Sequence, residues 1–300
     1  MDNGKHAYLI LVHTQPALAR TLLSLLDDPR NDIYVHIDRK APFGAETLEG
    51  CCARSQVRFI EPRFSIHWGG SNMMLATLAL LRAATATPHA YYHLLSGQDL
   101  PIKTQDEIHA FFAAHAGQEF LQFWPSGCSE THRATHFYLF PEHEGSLPGR
   151  LVNKLVRGVM KPFGGINRDL DLRLSSSWFS ITDACARYVV SRETWLKKHF
   201  VHTVMPDEVF IGTVIWDSPF RERIFDDSIH LEREEDKRTA LSGNLRLIDW
   251  SRGPSHAHPW TFREEDWDLL AASPCLWARK FDQKVDERII GRIEKHLKKR

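Results

Sequence analysis

The chain has 300 residues, of which 43% are hydrophobic, enough to fill the core of one large domain or two ordinary ones. Lysine plus arginine and aspartate plus glutamate both total 38, so the formal net charge is +0. This balance excludes a chain-wide positive field of the kind that holds nucleic acid or an anionic bilayer. We therefore expect a globular protein with no nucleic-acid partner, in which any phosphate site is local.

The N-terminal region has an apolar run of only six residues from Ala7, which is shorter than a signal peptide or membrane span requires. This predicts a cytoplasmic protein. The five cysteines include one adjacent pair, Cys51 and Cys52, and no CxxC motif. That pattern favours reduced thiols over a disulfide framework or a zinc site.

Short apolar runs alternate with segments of helical period over the first 125 residues. Strands are predicted at AYLILVH, DIYVHID, VRFI, YYHLLSG and EFLQFW. Helices are predicted at PALARTLLSLL, SNMMLATLALLRAA and TQDEIHAFFAAH, the last two capped by Ser71 and Thr104. This alternation predicts an α/β fold with a Rossmann-like, mostly parallel central sheet and helices on both faces.

The pattern changes between residues 128 and 174, where His, Gly, Pro and Arg predominate and predict loops with a short helix. We call residues 128–174 the excursion. A long segment of this kind is usually functional, because ordering it costs conformational entropy. Beyond it, WFSIT and LRLIDW predict strands, and DACARYVVSRETWLKK and PDEVFIGTVI predict helices. The final segment, DERIIGRIEKHLKKR, predicts an amphipathic basic helix. We interpret it as a terminal helix exposed to solvent, and binding to a membrane surface is the alternative.

Ligands of open parallel sheets bind beyond the carboxyl ends of the strands, so the residues that follow each strand are candidates. Val12, His13 and Thr14 follow the first strand without a glycine, which argues against the GxGxxG fingerprint of NAD or FAD sites. Asp38 follows the second strand. Its carboxylate suits a ribose hydroxyl or a base NH, and capping of the next loop is an equal alternative.

Three further segments carry groups suited to a ligand. The turn SGQD ends at Asp99, and the presence of glutamine and aspartate together favours function over a simple turn. Trp68, in HWGGS, is placed to stack on a planar ring or to be buried. Arg279 and Lys280, in ARKF, suit a diphosphate, since arginine offers a fork of donors and lysine a point charge.

The segment MPDEVF places Asp207 and Glu208 just after Pro206, at a predicted helix start. Two acids in a first turn ordinarily complement the helix dipole. The functional alternative is a carboxylate that projects into the cleft and takes a proton from a sugar hydroxyl.

Metal ligation would require acidic or histidine ligands at a strand end. The triplets Asp169–Asp171 and Asp266–Asp268 do not end an apolar strand, so we interpret both as surface acids. His256 and His258 are spaced as a pair of ligands would be, but no third ligand is evident nearby. The sequence predicts no metal site.

Several of these segments together resemble a known family. In chain order they are AYLILVH, IYVHIDRK, HWGGS, YYHLLSGQDLPIKTQDEI, SSWF, PDE and ARKF. Over residues 7–281 the chain resembles the core-2/I-branching β-1,6-N-acetylglucosaminyltransferases and the peptide O-xylosyltransferases. A single motif such as PDE is weak evidence, whereas the occurrence of all these segments in this order is specific.

The resemblance implies a GT-A type fold and inverting transfer of xylose or N-acetylglucosamine from a UDP-sugar to a hydroxyl of a glycan or related acceptor. It implies no metal and no other cofactor. It also implies a role for eight residues: the catalytic base Glu208, the diphosphate clamp Arg279 and Lys280, the uridine contacts Val12 and Asp38, Trp68 near the nucleotide, Asp99 near the sugar, and Arg246 as a second phosphate contact.

We therefore interpret the chain as a single domain, with a nucleotide-binding half over 7–125, an acceptor and catalytic half over 126–282, and a basic helix over 283–300. It lacks the membrane anchor, stem and disulfide-forming cysteines of the animal enzymes, so a cytoplasmic location is expected, with the inner face of the membrane as the alternative. The acceptor stays open. A non-catalytic protein that binds a nucleotide-sugar or glycan is the second hypothesis, and an NAD-dependent enzyme is the third.

Overall fold

The structure is a computed structural model that describes residues 4–124, 129–160, 162, 165–225, 241–254 and 258–298. Its strands are β1 (His6–Val12), β2 (Asn31–Ile37), β3 (Gln56–Phe59), β4 (Tyr91–Ser96), β5 (Asp99–Pro101), β6 (Ser180–Thr182), β7 (Arg246–Ile248) and β8 (Trp277–Arg279). Its α-helices are α1 (Pro16–Leu25), α2 (Asn72–Ala84), α3 (Gln105–Ala114), α4 (Leu147–Met160), α5 (Asp183–Ser191), α6 (Glu193–Phe200), α7 (Phe210–Trp216), α8 (Trp267–Ala272) and α9 (Glu287–Lys298).

The central sheet has the strand order β3-β2-β1-β4-β6, and every neighbouring pair is parallel except β4 and β6. Every residue of β1, β2 and β4 is buried, which explains why these strands read as continuous apolar runs. A second sheet has the order β5-β8-β7. The predicted α/β fold with a mostly parallel central sheet is confirmed.

Hydrophobic cores form on both faces of the central sheet. Tyr8 and Ile10 of β1 pack on one face with side chains of α1 and α9, whereas Leu9 and Leu11 pack on the other with side chains of α2, α5 and α7. Alternate residues of one strand point to opposite faces, so a single apolar run supplies both cores.

The C-terminal helix α9 uses its apolar side within the fold. Ile289, Ile290 and Ile293 are buried, and they belong to the core that contains α1. Its apolar face is therefore occupied by the protein, which removes the basis for the membrane-binding alternative at this helix. Among the described residues, no helix has the length and apolar character needed to cross a membrane.

Three local predictions are wrong. EFLQFW forms isolated bridges instead of a strand, because Glu119, Phe120 and Phe123 pair with three different segments. The single helix predicted over 183–198 is divided into α5 and α6, and the helix predicted from Pro206 starts as a 3₁₀ turn before α7.

The two predicted helix caps have different outcomes. Thr104 forms a capping box with Glu107, as predicted. Ser71 occupies the cap position of α2, but its hydroxyl donates to Glu142, whose carboxylate accepts the Asn72 N–H at 2.8 Å. An acid from the excursion therefore caps α2. Four described cysteines form no disulfide, in agreement with the expected reduced thiols: Cys51, Cys52, Cys185 and Cys275.

Candidate active site

The carboxyl ends of β1, β2 and β4 lie side by side. The Asp38 N–H donates to the Val12 carbonyl at 2.7 Å, and the Gly97 N–H donates to the Leu11 carbonyl at 2.8 Å. A Cβ atom at Gly97 would lie 3.3 Å from Val12 Cγ2, so the turn after β4 approaches β1 as closely as a glycine allows. The structure thus brings Val12, Asp38 and the SGQD turn together at one edge.

Asp38 is buried and acts as a loop cap. Its carboxylate accepts the Lys40 N–H at 2.8 Å and the Ile66 N–H at 3.3 Å, and the Lys40 ammonium lies 4.0 Å away. The capping alternative is therefore part of its role. A contact with uridine stays a prediction for Asp38. It also stays a prediction for Val12, which is buried like Asp38.

Asp99 and Arg279 form an ion pair across the second sheet. The antiparallel register of β5 and β8 places them opposite each other, and Arg279 Nη1 donates to Asp99 Oδ1 at 2.7 Å. The Ser96 N–H occupies the other carboxylate oxygen at 2.9 Å. Burial raises the pKa of Asp99, and Arg279 opposes this rise. Asp99 therefore anchors Arg279, and its predicted contact with the sugar is untested.

The cation pair Arg279 and Lys280 is fixed by the surrounding backbone. The Arg279 guanidinium lies over the Trp178 ring, 4.4 Å from its centroid. The Phe262 N–H donates to the Lys280 carbonyl, and the backbone N–H of the residue after Lys280 donates to the Gln98 carbonyl. Burial first, and the charge of Arg279 second, lower the pKa of Lys280. An anion placed beside both cations would relieve this repulsion.

Arg246, the predicted second phosphate contact, lies inside the fold. Its Nη1 donates to Ser180 Oγ at 2.9 Å and its Nη2 to the carbonyls of Leu94 and Phe179, with the Trp277 ring 4.7 Å from the guanidinium. Burial lowers its pKa to about 9. These donors hold β4 and the segment before β6 together, so the geometry gives Arg246 an internal role.

Glu208 stands on the 3₁₀ turn Pro206–Glu208, in front of α7, with a half-exposed side chain. Arg133 Nη1 lies 3.1 Å from its Oε2. The Met205 N–H donates to the Gly69 carbonyl at 2.8 Å, which fastens the turn carrying Trp68 to the Glu208 segment. The Trp68 side chain is 66% exposed, so the buried alternative for this residue is wrong.

The two adjacent acids have different surroundings. Asp207 accepts a hydrogen bond from Ser177 Oγ at 2.8 Å, and burial raises its pKa. Glu208 instead pairs with the cation Arg133, which comes from the excursion. Asp207 therefore binds the scaffold, while Glu208 is placed where a ligand can reach it.

Residues 175–178 connect the two groups of side chains. The Ser175 N–H donates to the Glu208 carbonyl at 2.7 Å, Ser177 binds Asp207, and the Trp178 ring lies under Arg279. One short segment thus contacts the Glu208 backbone, the Asp207 carboxylate and the Arg279 guanidinium.

Sequence reasoning assigned no role to several residues of this edge, among them His13, Arg133, Ser177 and Trp178. The SSWF segment was a signal for the last two, and the position directly after β1 was a signal for His13. His13 is exposed at the surface, but partial desolvation lowers its pKa; the charges of Arg279, Lys280 and Lys40 lower it further, and Asp38 opposes them. His13 therefore lies near both Asp38 and the cations.

The predicted absence of a metal site stays a prediction. Within the described part of the chain, no group of three His, Cys, Asp or Glu residues is arranged to hold a metal ion. Asp171 pairs with Arg173, and Asp266 is buried, where it accepts bonds from Arg252 and the Trp260 indole. The surface-acid interpretation is thus wrong for Asp266. His256 lies outside the described residues.

The fold and this edge define an α/β protein with cations at the strand ends and a carboxylate on a 3₁₀ turn, which residues 175–178 connect to Arg279. The chain matches the family Core-2/I-Branching enzyme over residues 6–271 and belongs to it. The predicted family is confirmed.

Curated relatives include Xylosyltransferase 2 of Bos taurus, 25% identical over 97% of this chain and 33% of that protein. Xylosyltransferase 1 of Homo sapiens is 24% identical over 88% of this chain and 27% of that protein. The chain thus spans about a third of the length of these relatives. Mouse xyloside xylosyltransferase 1, in its apo form, matches 70% of this chain and 81% of its own with a TM-score of 0.33 and 12% identity.

Proposed function

We propose that this chain is an inverting glycosyltransferase that moves a sugar from a UDP-sugar to a hydroxyl of a glycan or related acceptor without a divalent metal. Membership of the Core-2/I-Branching enzyme family supports the reaction class. The names of the curated relatives favour xylose as the sugar, and N-acetylglucosamine is the second candidate.

The observation that carries this proposal is the link formed by residues 175–178. Sugar transfer needs a proton acceptor at the attacking hydroxyl and positive charge at the departing diphosphate. Glu208 supplies the first, and Arg279 with Lys280 supplies the second. The segment 175–178 contacts both, through the Glu208 carbonyl and through the Trp178 ring under Arg279.

In the proposed reaction the acceptor hydroxyl gives its proton to the Glu208 carboxylate as its oxygen forms a bond to C1 of the donor sugar. The bond between C1 and the diphosphate oxygen breaks, and its electron pair leaves with UDP. Arg279 and Lys280 stabilise the added negative charge. A single displacement from the opposite face inverts the configuration at C1.

Arg133 orients the proposed base. Its guanidinium holds Glu208 Oε2 at 3.1 Å, so the carboxylate keeps one direction at the start of α7. A fixed orientation lowers the cost of bringing a base and a hydroxyl together.

A non-catalytic protein that binds a nucleotide-sugar is the second candidate. It is favoured by the ion pair that Arg133 already forms with the Glu208 carboxylate.

The test is a thermal-shift screen of UDP, UDP-xylose, UDP-N-acetylglucosamine and NAD in EDTA, followed by an assay of UDP release from the donor that stabilises the protein. We expect stabilisation by UDP and one UDP-sugar, with slow UDP release. Stabilisation without UDP release, even with candidate acceptors, would favour the binding protein, and stabilisation by NAD alone would contradict both.

A further inference from the structure

The orientation of α4 is fixed by a narrow inward face. Gly149 and Asn153 are the buried residues of this helix. The Asn153 side chain accepts the Phe140 N–H at 3.0 Å and donates to the Phe140 carbonyl at 3.1 Å. A Cβ atom at Gly149 would collide with the His143 carbonyl, so the helix lies directly on the turn before it. This contact determines which side of α4 faces outward.

The outward side of α4 is apolar. Leu147, Leu151, Leu155 and Val159 are spaced four residues apart and are 63–71% exposed. Residues at this spacing follow one another along a helix, so they form a stripe about 18 Å long, which we call the α4 stripe. Phe140, held by Asn153 and 47% exposed, adds an aromatic ring near this helix. Single exposed apolar residues are ordinary, whereas a continuous stripe indicates an interaction surface.

The charges of α4 indicate what this surface contacts. The helix carries Arg150, Lys154 and Arg157 and has no acidic residue. At 100° per residue, the three cations fall together beside the stripe. Arg157 also keeps its guanidinium over the Tyr138 ring at 5.0 Å. A helix with a long aliphatic stripe flanked by basic residues matches the composition of helices that lie in the interface of an anionic membrane.

We propose that α4 docks on an anionic lipid surface, with the α4 stripe at the boundary of the acyl chains and Arg150 and Lys154 at the headgroups. A protein partner fits less well, because Leu and Val, which form the α4 stripe, are under-represented in the hot spots of protein interfaces, and α4 has no Trp or Tyr. This surface differs from α9, whose isoleucines are buried in the core.

The test is flotation of the full chain with vesicles of phosphatidylcholine alone or of phosphatidylcholine with phosphatidylglycerol. We expect binding to the anionic vesicles that weakens with added salt. The double variant Leu151→Ser/Leu155→Ser and the charge variant Arg150→Glu/Lys154→Glu should each weaken this binding at least about tenfold. All four positions are exposed, so both variants should keep the wild-type melting temperature.

The matched control is Lys295→Glu/Lys298→Glu, which reverses the same number of charges on α9. We expect it to retain most of the binding. Wild-type protein that fails to bind anionic vesicles would overturn the proposal, and so would α4 variants that bind as well as the wild type. Self-association without lipid that both α4 variants abolish would assign the stripe to a second copy of this chain instead.

Discussion

The two ends of the candidate site are built in different ways. At the cationic end, Asp99 and Arg279 lie on strands, and the hydrogen bonds of the second sheet place them opposite each other. At the carboxylate end, Glu208 lies on a 3₁₀ turn and is held by Arg133 from the excursion. Strand pairing couples the cationic end to the stability of the fold, so a change there should alter folding and binding together. A change at Glu208 should alter the reaction alone.

The largest effect is expected for Glu208→Gln, which keeps the size of the side chain and removes its basicity. Loss of a general base costs about 10²–10⁴-fold in rate, so kcat should fall by that factor while the melting temperature stays near that of the wild type. The measurement is UDP release from the donor sugar, with the acceptor or with water in its place. Turnover at the wild-type rate with a true acceptor would remove Glu208 as the base.

The matched control is Asp207→Asn, the same chemical change at the neighbouring position. Asp207 binds Ser177 and stands in the first turn before α7. We expect a change in stability of about 0.3–1 kcal/mol and a rate within a few-fold of the wild type. A rate loss equal to that of Glu208→Gln would mean that the two carboxylates act together.

The second effect is a loss of stability in Arg279→Ala. This variant leaves Asp99 buried without its cation, which we expect to cost about 3 kcal/mol, because an uncompensated buried charge is unfavourable. Denaturant unfolding measures the change. Replacing both partners, as in Asp99→Asn/Arg279→Ala, should recover part of the loss. If the double variant is no more stable than Arg279→Ala, the pair does not link binding to folding.

The third effect is acid sensitivity on the Asp38 side of the site. His36 is buried, and its Nε2 accepts the Phe64 N–H at 2.9 Å, which requires a neutral ring. Burial lowers the pKa of His36 to about 4. Between about pH 4 and 6.5 the unfolded chain therefore binds more protons at this residue, and stability rises with pH.

His36 alone should account for a loss of about 2 kcal/mol between pH 7 and 4.5. His36→Gln retains an acceptor that does not titrate, so its unfolding free energy should depend less on pH over this window. The exposed His136 supplies the control His136→Gln, for which we expect the wild-type profile. A His36→Gln profile as steep as that of the wild type would show that other groups dominate.

The smallest effect is expected for Lys280→Ala, which removes a cation from the proposed diphosphate site and leaves the Asp99–Arg279 pair intact. UDP affinity should fall about tenfold, with little change for uridine, which has no diphosphate. Lys284→Ala, at an exposed position in the same segment, controls for the general loss of one charge. Equal losses for UDP and uridine would place Lys280 away from the diphosphate.

The sequence predicts the strand ends of the central sheet better than the pairing that holds the cations. β1, β2 and β4 are buried on both faces, so their apolar runs and the residues just after them could be recognised directly. The ion pair of Asp99 with Arg279 was not predicted. It joins residues 180 positions apart in the chain, through the pairing of two strands of three residues each. No local sequence pattern reveals which residues of these two strands lie opposite each other.

The excursion shows the limit of periodicity. Apolar residues recur through α4 at helical spacing, and they also recur through α9. A period reveals that a helix has an apolar side, but burial of that side depends on tertiary packing. In the structure α9 buries its isoleucines and α4 exposes its leucines, so the membrane alternative for α9 lacks the exposed apolar face that it requires. Arg133 was missed for the same reason, since its contact with Glu208 exists only in the folded chain.

The most direct test of the account is a calorimetric titration of UDP into wild-type protein and Glu208→Gln, both in EDTA. Our central claim is that one site binds the diphosphate through protein cations at one end and takes a proton at the other. We predict binding in the low-micromolar to millimolar range without a divalent ion, and the same affinity for both proteins within a few-fold. Binding that is lost in chelator and restored by Mn²⁺ would contradict this claim.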